Sequence, residues 1–146
     1  MFKPNQIIKN SVKELIGIFY YNFYKRFFKK NGNRILIYHA FGSKLDHDTY
    51  GISMSIKNFR KHISYLKDNY IIQDIVKSFS DDSDSVSITI DDGYKDTLSA
   101  IEVLNESNLP FSLFITTNFI NKKDYLSDED ISDIAKLDNS TIGSHG

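Results

Sequence analysis

The 146-residue chain has no cysteine. That excludes a disulfide framework and any thiolate metal site. A membrane-spanning segment is missing as well. The most apolar stretch runs from Leu15 to Tyr24, and Asn22, Lys25 and Arg26 interrupt it. It is too short to cross a bilayer. No small-residue cleavage site follows it, so no secretory signal is read there. The location expected on these grounds is cytoplasmic or membrane-peripheral. Internal repeats and low-complexity linkers are also lacking. What remains is ordinary for one globular domain: 40% hydrophobic and 25% charged residues in a chain long enough for a sizeable core.

The net charge of -1 conceals an imbalance. Residues 1–34 hold eight Lys/Arg and one acid, Glu14; the remaining residues hold ten Lys/Arg and eighteen acids. A basic, aromatic head thus precedes an acidic body. Nucleic-acid binding is not expected, because no basic patch lies on that body. The head reads as an amphipathic helix over 11–30. Val12, Leu15, Ile16, Phe19, Phe23 and Phe27 recur at spacings of three and four. Asn10 or Ser11 is the candidate cap, and Asn31-Gly32-Asn33 the stop. Such a helix either packs on the domain or lies on an anionic membrane, with Lys25, Arg26, Lys29 and Lys30 toward the headgroups.

Beyond it, short apolar runs alternate with helical periods. Arg34 to His39 suits a strand buried on both faces. Residues 42–54 read as a loop. Ser55 caps a helix over 56–69 that buries Phe59, Ile63 and Leu66. Ile71, Ile72 and Ile75 suggest a short element, and residues 80–84 a solvated acidic turn. Val86 to Ile90 alternates like a strand. Leu98, Ile101 and Leu104 mark a helix between Tyr94 and Ser107, stopped by Asn108 and Pro110. Phe111 to Thr116 is a strand, Ser127 opens another helix, and Thr141 starts a last strand. The order predicts an α/β fold with a parallel sheet and crossover helices.

Ligand sites in such folds gather at the C-terminal strand ends. Ionisable residues fall at three of them: His39, the pair Asp91-Asp92, and His145. Neighbouring carboxylates repel unless a cation or donors offset them. Asp plus His is a common donor set for zinc and related metals. A second carboxylate, off the metal, is placed to take a proton from water. The bland alternatives are a turn at Asp91-Asp92-Gly93 and a satisfied core histidine at His39. His47 and His62 receive no role.

Thr89-Ile90-Asp91-Asp92-Gly93-Tyr94 resembles the first motif of the polysaccharide deacetylases, the NodB-homology or carbohydrate esterase family 4 domain. Ile90 stands where that motif has Phe. Ile37-Tyr38-His39, the run from Leu109 to Thr117, and Ile142-Gly143-Ser144-His145 resemble further family segments in the same order. The resemblance implies a partial irregular parallel (β/α) barrel over 34–146, preceded by the amphipathic helix of 1–33. It implies Asp91 as catalytic base, Asp92 and His145 as two of three ligands to a divalent metal, zinc above all, and His39 as site support. The implied reaction is hydrolysis of N-linked (or O-linked) acetyl groups on a polysaccharide or other glycan. Gly146 departs from the motif's Ser or Thr, and the motif's second His would fall past it. The chain is therefore expected to be truncated and inactive alone. Two other readings stand beside this one. The first is a non-catalytic partial barrel that binds glycan or complements a separate C-terminal part. The second is a Mg²⁺-dependent phosphate-handling site that uses Lys95.

Overall fold

The computed structural model describes residues 4–20, 23, 32–43, 51–76 and 84–146, with side-chain exposure given from residue 12 onward. The chain divides into two units, residues 1–31 and 32–146. The first contains α1, Pro4–Phe19. This helix begins seven residues earlier than the periodicity predicted, so Asn10 and Ser11 lie inside it and do not cap it. Pro4 suits the first helical position, where its missing N–H is no loss. Val12, Leu15, Ile16, Ile18 and Phe19 are all exposed. Most of the expected continuation to residue 30 lies outside the described residues.

The second unit is a parallel α/β layer. Its elements are β1 (Gly32–Tyr38), α2 (Ile56–Asn69), β2 (Ile71–Ile72), β3 (Asp84–Asp92), α3 (Thr97–Glu106), β4 (Phe111–Ile115), a 3-10 turn (Thr117–Phe119), α4 (Asp128–Ile134) and β5 (Ser140–Ser144). The sheet order is β1-β3-β4-β5, with β2 also paired to β3. All four pairings are parallel. The partial parallel barrel expected from sequence is the architecture found.

Local chemistry accounts for the elements. Ser55 caps α2 by accepting the Asn58 amide, and Phe59, Ile63 and Leu66 are its buried residues, as predicted. Ser127 and Asp130 form a reciprocal capping box at α4. The core gathers Tyr38, Phe59, Ile88, Ile90, Leu104, Phe111 and Leu113. Tyr38 meets the Phe59 ring edge-on at 5.0 Å and shares a 2.8 Å hydrogen bond with His62 Nδ1. Burial pushes the Tyr38 phenol up to about 12.

β3 alternates apolar and polar residues as predicted, and both of its faces are buried. Val86, Ile88 and Ile90 are buried, but so are Ser85, Ser87 and Thr89 on the other face. The hydroxyls are accommodated by hydrogen bonds: Gln73 donates to Ser85, Ser85 to Asn33 Oδ1, Asn33 Nδ2 to Ser87, and Thr89 to the Leu36 carbonyl. Asp84 was expected in the solvated turn; it opens β3 and pairs with Arg34. Residues 80–83 of that turn lie outside the described residues.

Candidate active site

The register sets the C-terminal strand ends side by side. Tyr38 pairs with Ile90, so His39 follows opposite Asp91. Asp91 pairs with Phe114, and Phe114 with Gly143. The ladder extends one step past β5, where the His145 amide donates to the Ile115 carbonyl at 2.9 Å. A methyl group at Gly143 would lie 2.7 Å from the Phe114 ring, so glycine is what lets β5 approach here.

Adjacent strand residues ordinarily point to opposite faces. Asp91 and Asp92 do not follow that rule, because Asp92 has φ 72° and Gly93 φ 79°. The left-handed turn brings both carboxylates to one imidazole. His145 Nε2 is 3.4 Å from Asp91 Oδ2 and 3.9 Å from Asp92 Oδ1. The Asp91 and Asp92 side chains are 16% and 24% exposed, and that of His145 42%. The site thus has a buried floor and an open histidine. Asp91 Oδ1 is buried without a hydrogen-bond partner. Burial raises the Asp91 pKa; charge on His145 and His39 works against this, and the Asp92 charge adds to it.

Tyr94 received no role from the sequence. Burial raises its phenol far above the usual value, and hydrogen bonding to Tyr125 and Asp92 adds to the rise. Its place two residues after the acidic pair was the signal available. The loop before α4 is tied to the same turn, with the Leu126 amide on the Gly93 carbonyl and the Lys95 amide on the Asp124 carbonyl, both at 2.9 Å. Lys95 was the residue offered for phosphate. Its ammonium pairs instead with Asp130 at 2.5 Å. His62 is taken by Tyr38, and His47 lies outside the described residues.

Among the described residues, no group of three or more His, Asp or Glu side chains is disposed to hold a metal ion. Asp92 and His145 form a two-donor pair with Asp91 beside it. A carboxylate and an imidazole suit zinc chemically, and the partnerless Asp91 oxygen marks unbalanced negative charge. These residues fit a divalent cation.

Strand-end carboxylates and a histidine on a parallel α/β sheet make a candidate site, and comparison gives its class. Residues 80–146 match the profile of the family described as polysaccharide deacetylase. The fold is similar to that of a protein described as a polysaccharide deacetylase from Bacillus anthracis. Identity is 23% and TM-score 0.66, over 80% of this chain and 39% of that one. A polysaccharide deacetylase from Bacillus cereus gives 21% and 0.67, with the same 80% and 39%. A de-N-acetylase from Aggregatibacter actinomycetemcomitans gives 17% and 0.64, over 79% and 55%. No curated protein sequence matches. The chain thus spans about two fifths of the two Bacillus proteins. The resemblance read in the sequence holds as a similarity: residues 80–146 match the polysaccharide deacetylase family, and the fold is like that of part of the solved deacetylases.

Proposed function

We propose that this site belongs to a metal-dependent hydrolase that removes acetyl groups from the nitrogen (or oxygen) of a glycan. The observation that carries the reading is the convergence of Asp91 and Asp92 on His145 at 3.4 and 3.9 Å. Asp92 and His145 are the residues that would hold the cation, zinc by donor chemistry. When bound, such an ion makes water more acidic and polarises a carbonyl oxygen. Asp91 is the general base, and its raised pKa suits it to taking a proton from water. His39 supports Asp91 from the end of β1. Two protein ligands hold a metal more weakly than three. The 146 residues by themselves are therefore expected to bind zinc weakly and to deacetylate nothing measurable.

The deciding experiment is isothermal zinc titration of the purified chain beside Asp92→Ala and His145→Ala. Saturable binding lost in both variants supports the site; binding unaffected by either variant refutes it. Metal-dependent deacetylation by the chain alone would overturn the expected inactivity.

A second reading, a non-catalytic half-barrel that complements a separate part, draws on β1. Among the described residues β1 pairs only with β3, and its Ile35 and Ile37 are 44% and 58% exposed. Dependence of solubility on a co-expressed partner would favour it.

The glycan proposed is membrane-proximal. No helix among the described residues is long and apolar enough to cross a membrane. The exposed apolar residues of α1 and the basic charge of residues 1–34 suit the surface of an anionic bilayer. Co-sedimentation with phosphatidylserine vesicles, lost on deleting residues 1–30, is expected; an equal soluble fraction with and without vesicles would refute it.

A further inference from the structure

Asp96 stands at the N-cap of α3 but makes no capping bond with its side chain. An aspartate at that position ordinarily accepts the helix's own first amides. Here Oδ2 accepts two amides from a segment more than fifty residues away: Phe41 N at 2.8 Å and Ser43 N at 2.9 Å. Between them Gly42 has φ 117°. Two amides flanking a left-handed residue and converging on one oxygen make a small anion-binding concavity of backbone. The Gly42 amide turns away to Ser53 Oγ at 3.2 Å.

The gripped segment is the loop that follows His39. The β1 ladder ends at Tyr38, one residue before His39. Phe41 is already buried against Tyr38 and Phe59, and the Ala40 carbonyl already accepts the Met54 amide. The loop is thus anchored without Asp96. What the carboxylate adds is a fixed orientation, and it adds it from the peptide segment that carries the acidic pair, five residues past Asp91.

We infer that Asp96 is a positioning residue: by holding the Phe41 and Ser43 amides it keeps His39 beside Asp91. The inference rests on the proposed role of Asp91. The carboxylate's hydrogen bonds go to the loop, and it acts through the loop.

The test is nuclear magnetic resonance on the ¹⁵N-labelled 146-residue chain. In the unmodified chain the Phe41 and Ser43 amides are expected to exchange slowly, and Asp91→Asn is expected to shift the His39 ring resonances. In Asp96→Ala those amides are expected to exchange about tenfold faster, the scale of a lost charge-assisted hydrogen bond. The His39 response to Asp91→Asn is expected to collapse with them. Asp96→Asn retains an acceptor oxygen and should restore both. Slow exchange in Asp96→Ala overturns the inference. So does fast exchange with an intact His39 response, which would mean a structural clamp only, and so does failure of Asn to rescue. If Asp96→Ala does not fold, Gly42→Ala decides. An added methyl meets nothing within 4 Å there, so the variant strains only the left-handed turn. Loss of both signals in it supports the inference, and retention of both overturns it. Absence of zinc binding by the unmodified chain would count against the active-site reading and leave the amide result standing.

Discussion

β3 carries aspartate at both ends, and the two ends are built on opposite terms. At the N-terminal end Asp84 pairs with Arg34, and Ser85 and Ser87 are hydrogen-bonded to neighbouring side chains. At the C-terminal end Asp91 keeps a buried oxygen with no partner, Asp92 takes a left-handed backbone, and the His145 imidazole lies 3.4 Å from Asp91. One strand thus has a satisfied end and an unsatisfied one. Backbone strain and orphaned polar atoms persist only where surrounding structure sustains them, and they cluster at functional sites. The contrast marks the C-terminal end of β3 as the candidate site on physical grounds.

The comparison can be broken at its middle. Ile88 is fully buried between the two ends. Ile88→Ala should destabilise the chain by about 3 kcal/mol and loosen both ends together. Urea unfolding, with hydrogen exchange along β3, would check this.

A smaller effect of opposite sign is expected at the unsatisfied end. Asp91→Asn removes a buried charge that burial already disfavours. It should raise stability by about 1.5 kcal/mol while abolishing any base function. A lower melting temperature in this variant would argue that Asp91 is a structural anchor.

A pH effect sharpens the contrast at the neighbouring loop. Burial works to raise the Asp130 pKa, but hydrogen bonds from Lys95 and Ser127 outweigh it and hold the carboxyl at about 2. A carboxylate with a depressed folded pKa stabilises above its unfolded value, near 4, and loses that contribution as pH falls toward 2. About 1 kcal/mol should disappear over that window, after allowance for screening at the half-exposed Lys95. Asp130→Asn should flatten that part of the stability–pH curve. The smallest change belongs to the satisfied end: Asp84→Ala breaks a partly exposed pair and should cost about 0.5 kcal/mol by thermal unfolding.

Much of this was legible in the sequence because it is written locally. Ser55 and its helix, Phe59-Ile63-Leu66, the break at Asn108, and the run from Phe111 all carry their own periodicity or cap. The acidic pair and His145 were legible as strand-end residues, and the parallel register then set their ends together. Other features depend on contacts between distant residues. The buried hydroxyls of β3 follow from Asn33, Gln73 and Leu36, which no pattern within 85–89 announces. The start of α1 at Pro4 escaped because the apolar stripe is clear only from Val12 onward. The grip of Asp96 on Phe41 and Ser43 spans more than fifty residues. The way both carboxylates reach His145 depended on a backbone angle at Asp92 that composition does not encode.

That angle has a consequence for which variants of this chain can survive. At φ 72° the position admits glycine freely, asparagine and aspartate with modest strain, and β-branched or bulky residues hardly at all. Of the three, glycine brings no donor atom and asparagine brings no charge. The backbone has therefore narrowed the alphabet at position 92 to three letters, and the need for a charged donor narrows those three to one. A mutational scan read on folding alone should find the position tolerant of glycine and asparagine and intolerant of β-branched and bulky residues.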